Sequence, residues 1–476
     1  MSLTQVMRRS RLSSEMSRVA GRVVSETESL CPVCLRLVPA HNIIDGGDVY
    51  LEKNCRDHGY YKTLIWRGAG SYVEWGSHSE DLGSPARRHT PTERGCPYDC
   101  GLCPSHLAET CVTIMEVTPV CNLACPVCFA SAGERPESIP SLDVIGGMYR
   151  TAAISAGTTC SVQLSGGEPT TRDDLPQIVA MGREIGFEHI QVNTNGIRIA
   201  EDIKYLEDLK QAGASVIYLQ FDGTTDDIYL RIRGRELFQI KLRAIQNCAE
   251  VKMGVILVPT LVADVNLHKV GDIVSFAKSW IPVVKGIHFQ PVTYVGRYPS
   301  PIPHNERVTI PDVLFALEGQ TGGEIRAQNL SPRRRKESYC SFGGFFVLSE
   351  GGELMAVPGK KQGSAQCSKS CQAKPLPYEQ ARRFVGQRWR FSEEDAVSPI
   401  VRTGSWQSFY QRARTHYLSI TCMPFQDAWS IDLQRLKRCC THVVTPARRI
   451  VPFCAYYLTD TEGRRLHILN GGRDVS

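Results

Sequence analysis

The run Cys121-Asn122-Leu123-Ala124-Cys125-Pro126-Val127-Cys128 follows directly on the strand-like stretch Val112-Thr113-Ile114-Met115-Glu116-Val117, and a Gly166-Gly167-Glu168 triplet comes downstream. No other feature constrains the fold so tightly. Three thiolates at CxxxCxxC spacing hold three irons of a cubane cluster and leave the fourth iron without a protein ligand, open to a small chelating molecule. The loop must then sit at the end of a strand, beside a space large enough for that molecule.

Between about 112 and 300, strand-like runs alternate with helical patterns: Val112 to Val117, Ser161 to Leu164, His189 to Asn193, Val216 to Phe221, Gly254 to Pro259 and Gly286 to Gln290 are the strands. Repeated βα units of this kind build a parallel sheet, and six strands suit a partial barrel. Leu175, Ile178, Met181 and Ile185 share one helix face, with Asp173 and Asp174 in the first turn and Gly186 at the end; Leu267, Val270, Ile273 and Phe276 share another. In α/β folds ligands gather at the carboxyl ends of the strands, which predicts that Gly166-Gly167-Glu168, Asn193-Thr194-Asn195-Gly196 and Asp222-Gly223 converge.

A chain of 476 residues holds about two to four domains. The spacing divides this one into an N-terminal Cys module (1–67), a linker with a second CxxxCxxC (68–111), the barrel (112–300) and a separate Cys-rich C-terminal module (301–476) that includes a hairpin from Phe345 to Val357. The 55 basic and 49 acidic side chains leave a formal charge of +6, too small to suggest a nucleic-acid protein. No stretch reaches the roughly 18 apolar residues of a membrane span, and the first residues lack a secretory signal's apolar region. A cytoplasmic location is expected, with peripheral bilayer contact left open. Nineteen cysteines in a reducing compartment argue for metal-sulfur sites rather than disulfides.

Cys96, Cys100 and Cys103 repeat the CxxxCxxC spacing but precede the barrel, so they read as an auxiliary cluster, with Cys111 the nearest fourth donor. Cys31, Cys34, Cys55 and His58 have the spacing of one tetrahedral metal, zinc or iron. Cys422, Cys439, Cys440 and Cys454 supply four donors for another auxiliary cubane, although the adjacent pair cannot both ligate easily. Cys340, Cys367 and Cys371 are alternative donors, and Cys160 and Cys248 fall on core faces.

The CxxxCxxC loop after a first barrel strand, followed by Gly166-Gly167-Glu168, resembles the radical S-adenosylmethionine (radical SAM) superfamily. CPVC near the N-terminus, Cys55-Arg-Asp-His-Gly, Gly95-Cys96-Pro-Tyr-Asp-Cys100-Gly-Leu-Cys103-Pro and Arg438-Cys439-Cys440 ending at Pro452-Phe453-Cys454 are similar to the tetraether synthase family, also described as hydroxymethylpterin methyltransferase-like. The resemblance implies a 4Fe-4S cluster on Cys121, Cys125 and Cys128 that binds S-adenosylmethionine, auxiliary 4Fe-4S clusters and a mononuclear, rubredoxin-like site. It further implies that Gly166-Gly167-Glu168 contacts the amino group of S-adenosylmethionine. Asn195 and Asp222 are candidates for its ribose or methionine part, and Arg233 for its carboxylate.

The activity expected is hydrogen abstraction from an unactivated carbon by a 5'-deoxyadenosyl radical, with carbon-carbon coupling or alkylation of a lipid-like or other small-molecule substrate. Electrons would come from a ferredoxin or flavodoxin. A pterin methyltransferase-like enzyme and a radical SAM peptide maturase are the alternatives, and a non-enzymatic iron-sulfur carrier is the remaining one.

Overall fold

The computed structural model describes residues 21–77, 85, 90–133, 138–298, 302, 306–332, 337–357, 389–391 and 412–466. Cys367 and Cys371 lie outside them. Four strands, β1 (Arg22–Leu30), β2 (Leu37–Asp45), β3 (Asp48–Cys55) and β4 (Gly59–Trp66), pair in sequence order as an antiparallel sheet. A second, larger sheet contains β5 (Val112–Thr118), β6 (Ser161–Gly166), β7 (Ile190–Thr194), β8 (Val216–Gln220), β9 (Val255–Val258), β10 (Thr260–Leu261) and β11 (Val284–Pro291). Apart from the short β10, these match the six strands read from the sequence.

The remaining strands are β12 (Ser331–Pro332), β13 (Phe342–Leu348), β14 (Leu354–Ala356), β15 (Tyr417–Cys422), β16 (Thr441–Val444) and β17 (Ile450–Pro452). They do not stand apart as the sequence division at 301 anticipates. β15 pairs in parallel with β11, from Gly286↔Ser419 to Phe289↔Cys422, and β16 pairs in parallel with β5, from Thr441↔Val112 to Val444↔Met115. The C-terminal segment thus adds one strand to each edge of the six-stranded core, where open backbone groups would otherwise need water. The expected hairpin is present as β13 and β14.

Period-two alternation decides which side chains face the helices and which face inward. Val162, Leu164, Val192, Ile217, Leu219, Val255, Leu257, Ile287 and Phe289 are buried in the main core. Each such side chain contributes about 1.5–3 kcal/mol on full burial. The helix Leu142–Ala156 starts where Ser141 Oγ accepts the Val144 N–H at 3.3 Å, and Leu175–Ile185 stops where Gly186 takes a left-handed φ of 106°.

The N-terminal sheet is docked on residues 428–432. Ser29 Oγ donates to the Ile431 carbonyl at 2.6 Å, Thr27 Oγ1 to Asp432 at 2.7 Å, and the buried Lys53 Nζ to Ser29 Oγ at 3.0 Å and the Ala428 carbonyl at 2.5 Å.

Candidate active site and metal centres

Cys121, Cys125 and Cys128 line one cavity of about 250 Å³ inside the barrel, together with Gly166, Gly167, Glu168, Asn195 and Arg233. The glycines are required by backbone contact rather than by the ligand alone. A Cβ on Gly166 would lie 2.3 Å from the Thr118 carbonyl oxygen, and one on Gly167 would lie 2.1 Å from that of Val120. Gly167 and Glu168 N–H groups donate to those same carbonyls at 2.7 and 2.8 Å, fastening the start of the cysteine loop to the end of β6.

The Glu168 carboxylate is turned to the protein. Oε1 accepts from Thr170 N–H (3.0 Å), Thr170 Oγ1 (2.6 Å) and Thr194 Oγ1 (2.7 Å), and Oε2 accepts the Asn195 N–H at 2.6 Å. Burial raises this carboxyl above its ordinary value, against the pull of those donors. Asn195 passes the linkage on, since its Nδ2 donates to Asn122 Oδ1 in the cysteine loop at 2.6 Å.

Arg233, the candidate partner of the S-adenosylmethionine carboxylate, lines the cavity and clasps Asp222, through Nε at 2.7 Å and Nη2 at 2.8 Å. Nη1 reaches the Val127 carbonyl at 3.2 Å, between Cys125 and Cys128, and Nη2 also reaches Thr260 Oγ1 at 2.9 Å. Asp222 is fully buried and takes the Thr260 N–H as well, at 3.0 Å. The pair therefore braces the loop from below, and Asp222 is not among the residues lining the cavity. Lys241, which the sequence reading passed over, is buried and donates to the Asn195 carbonyl and to Gln220 Oε1 (3.2 Å); burial lowers it to about 7.

The inward positions of the strands form the rest of the wall. Gln163, Asn193, Gln220, His288 and Gln290 line it, with Tyr218, Phe425 and Phe453. Asn193 Oδ1 is buried without a hydrogen-bond partner among the described residues. His288 Nδ1 lies 2.8 Å from Thr421 Oγ1. At the amino ends of the strands Trp389 closes the floor. Arg390 Nη2 donates to the Glu188 carbonyl (2.5 Å) and Ser215 Oγ (3.1 Å). The alternation of amides with core residues carried this signal in the sequence.

The donor set fits a cluster. Burial pushes the Cys121 thiol up to about 11, opposed by the Leu123 N–H and reinforced by Glu168 and the neighbouring Cys125 and Cys128. Three thiols in so dry a place become thiolates when a cation joins them. Among the described residues the compact four-donor group is elsewhere: Cys31, Cys34, Cys55 and His58 place their ligand atoms within 4.8 Å of one another, the spacing of a single ion. His58 Nδ1 lies 3.5 Å from both Cys31 and Cys55 Sγ.

Cys96, Cys100 and Cys103 line a small separate cavity with His106 and Lys437. Cys111 is not among its lining residues; its N–H donates to the Cys440 carbonyl at 2.6 Å. The buried Cys100 thiol is raised by its hydrogen bond with Cys96, then by burial and by Cys103, and from outside the loop by Cys439. The C-terminal donors divide. Cys454 is raised by burial and by the nearby Cys439 and Cys340, whereas Cys422, on β15, is raised by burial alone. Cys340, expected as an alternative donor, is thus near enough to Cys454 to act on it.

A family model for the radical SAM superfamily matches residues 115–277, and one for the HMPTM N-terminal zinc ribbon domain matches residues 23–67. The chain is 35% identical, over 90% of its length and 93% of the relative's, to the 7,8-dihydro-6-hydroxymethylpterin dimethyltransferase of Methanocaldococcus jannaschii. It is also similar to a probable GTP 3',8-cyclase of Methanococcus vannielii (29% identical over 37% of this chain and 58% of that protein). The Fe-coproporphyrin III synthase of Methanosarcina barkeri is 32% identical over 32% of this chain and 39% of that protein. The cysteine loop at the barrel mouth, the N-terminal ribbon and a likeness that runs almost end to end place the chain in the radical SAM superfamily and, within it, in the family of the 7,8-dihydro-6-hydroxymethylpterin dimethyltransferase.

Proposed function

We propose that this radical SAM enzyme alkylates a carbon of a small, planar, nitrogen-rich heterocycle of the reduced pterin class. The observation that carries the reading is the row of amides on the inward face of the barrel, Gln163, Asn193, Gln220 and Gln290, beside the three cysteines. Such groups read the N–H and C=O edges of a heterocycle, and Tyr218, Phe425 and Phe453 offer faces for its ring. An acyl chain in the same place would leave the buried Asn193 Oδ1, which has no partner among the described residues, unsatisfied at about 1–3 kcal/mol. The likeness to a pterin dimethyltransferase supports the same choice over lipid-chain coupling.

When bound, the cluster and S-adenosylmethionine supply a 5'-deoxyadenosyl radical able to take hydrogen from carbon. The chain's own residues do the rest. Cys121, Cys125 and Cys128 hold the metal; Glu168, Asn195 and the Asp222–Arg233 pair fix the loop that carries them. The Trp389 floor and the strands added by β15 and β16 keep water from the radical. A ferredoxin or flavodoxin is the proposed electron source.

The test is anaerobic incubation of the reconstituted enzyme with S-adenosylmethionine, a reductant and 7,8-dihydro-6-hydroxymethylpterin, in parallel with a cell lipid extract, followed by mass analysis. A pterin product gaining one or two methyl groups is the expected result. For each methyl, one hydrogen leaves in 5'-deoxyadenosine, and the methyl comes from a second S-adenosylmethionine that leaves as S-adenosylhomocysteine. The reductant supplies one electron to that transfer besides the one that cleaves the first S-adenosylmethionine. Altered lipids beside an unchanged pterin overturn the proposal.

A further inference from the structure

Two of the metal loops touch through one side chain. Tyr98 belongs to the loop that carries Cys96, Cys100 and Cys103, and its hydroxyl is engaged twice by the turn that carries Cys31 and Cys34. It accepts the Leu37 N–H at 2.9 Å and donates to the Leu35 carbonyl at 3.0 Å. The guanidinium of Arg94 lies over its ring, 4.8 Å from the centroid. Asp99 Oδ2, next in the chain, gathers the N–H groups of Glu93 (2.9 Å), Arg94 (2.5 Å) and Gly95 (2.6 Å), so the auxiliary loop is stiff around the residue that reaches across.

The turn on the other side is not relaxed. Leu35 has a φ of 51°, a left-handed conformation that a branched aliphatic residue adopts at a cost of about 1–3 kcal/mol. It is buried and held by its N–H to the Cys31 carbonyl at 2.9 Å, with the Cys31 N–H returned to the Arg36 carbonyl at 2.9 Å. A metal joining Cys31 and Cys34 to Cys55 and His58 closes that turn from both ends. The body of the sheet needs no such help, because Thr27, Ser29 and Lys53 anchor it to residues 428–432. Loss of the ion would therefore release the turn while the sheet stays docked.

We propose that Tyr98 makes cluster retention at Cys96, Cys100 and Cys103 depend on metal occupancy at Cys31, Cys34, Cys55 and His58. The ribbon ion acts on the auxiliary centre as a positioning device: it fixes Leu35 and Leu37, these fix Tyr98, and Tyr98 fixes the loop between Cys96 and Cys100. This rests on the reading that Cys96, Cys100 and Cys103 hold a cluster, and the experiment separates the two.

The full chain is prepared without air as wild type, Tyr98→Phe, Cys34→Ala and a triple Cys96→Ala/Cys100→Ala/Cys103→Ala variant. Zinc and iron are counted per chain, and electron paramagnetic resonance spectra are recorded after reduction. The triple variant defines the auxiliary signal by its absence. Tyr98→Phe, which removes one oxygen and leaves every thiol and the ribbon ligands in place, is expected to keep the ribbon ion and to lose most of that signal and the matching iron. Cys34→Ala is expected to lose both the ion and the signal, with circular dichroism showing a folded chain. Wild-type signal and iron in Tyr98→Phe overturn the coupling; no loss of iron in the triple variant overturns the underlying cluster reading instead.

Discussion

The Oε2 atom of Glu168 receives the backbone N–H of Asn195 at 2.6 Å, which ties the end of β6 to the end of β7 directly beside the cysteine loop. Glu168→Ala strands that N–H and the hydroxyls of Thr170 and Thr194 in a buried place, at a cost of about 1–3 kcal/mol for each group left unpaired. S-adenosylmethionine affinity, measured by calorimetry on the reconstituted protein, is expected to fall about tenfold or more. Wild-type affinity in that variant would show that the carboxylate does not shape the site.

Breaking the buried pair of Asp222 and Arg233 leaves an uncompensated charge, typically about 3–5 kcal/mol. Asp222→Asn and Arg233→Met are expected to lower the melting temperature and, because Arg233 also supports the Val127 carbonyl, to lose iron from the Cys121, Cys125 and Cys128 site. Equal iron content in wild type and both variants counts against the bracing role.

Replacing an inward amide tests the substrate reading separately from the cofactor. Asn193→Leu and Gln290→Leu should reduce pterin alkylation by about tenfold to a hundredfold, the worth of one or two hydrogen bonds. Formation of 5'-deoxyadenosine should persist in both. Loss of both products together would assign these positions to S-adenosylmethionine instead.

Lys53 and Lys241 are both lowered by burial from 10.5 to about 7. Between those values the folded chain binds fewer protons than the unfolded chain, so these residues make stability rise with pH across the window and add no slope below it. Lys241→Met should therefore flatten the gain in melting temperature between pH 7 and pH 9 relative to wild type. An unchanged slope would mean that Lys241 keeps its ordinary affinity for protons.

The barrel strands were legible because each is a short β-branched run at a regular interval, and Cys121, Cys125 and Cys128 because thiols at that spacing have few other uses. The roles of Arg233 and Asp222 were not. A sequence shows a cation and a carboxylate eleven positions apart but not that they satisfy each other across a helix, which ties Arg233 to the protein as well as to the cavity it lines. Cys340 and Cys439 approach Cys454 from segments far apart in the chain, a pairing set by tertiary folding rather than spacing. The amides of the wall were visible all along as alternate residues of the strands, yet they read as ordinary sheet positions until the curvature of the sheet turned them to one space.

Because β15 and β16 flank the core from its two margins, the vessel for the reaction is finished by strands that come after all of the barrel strands in the chain. Half a barrel with its thiols in place exists well before its walls do. A nascent or truncated chain that gained its iron early would carry a radical-generating centre open to solvent and oxygen, so productive loading belongs after synthesis of the C-terminal strands.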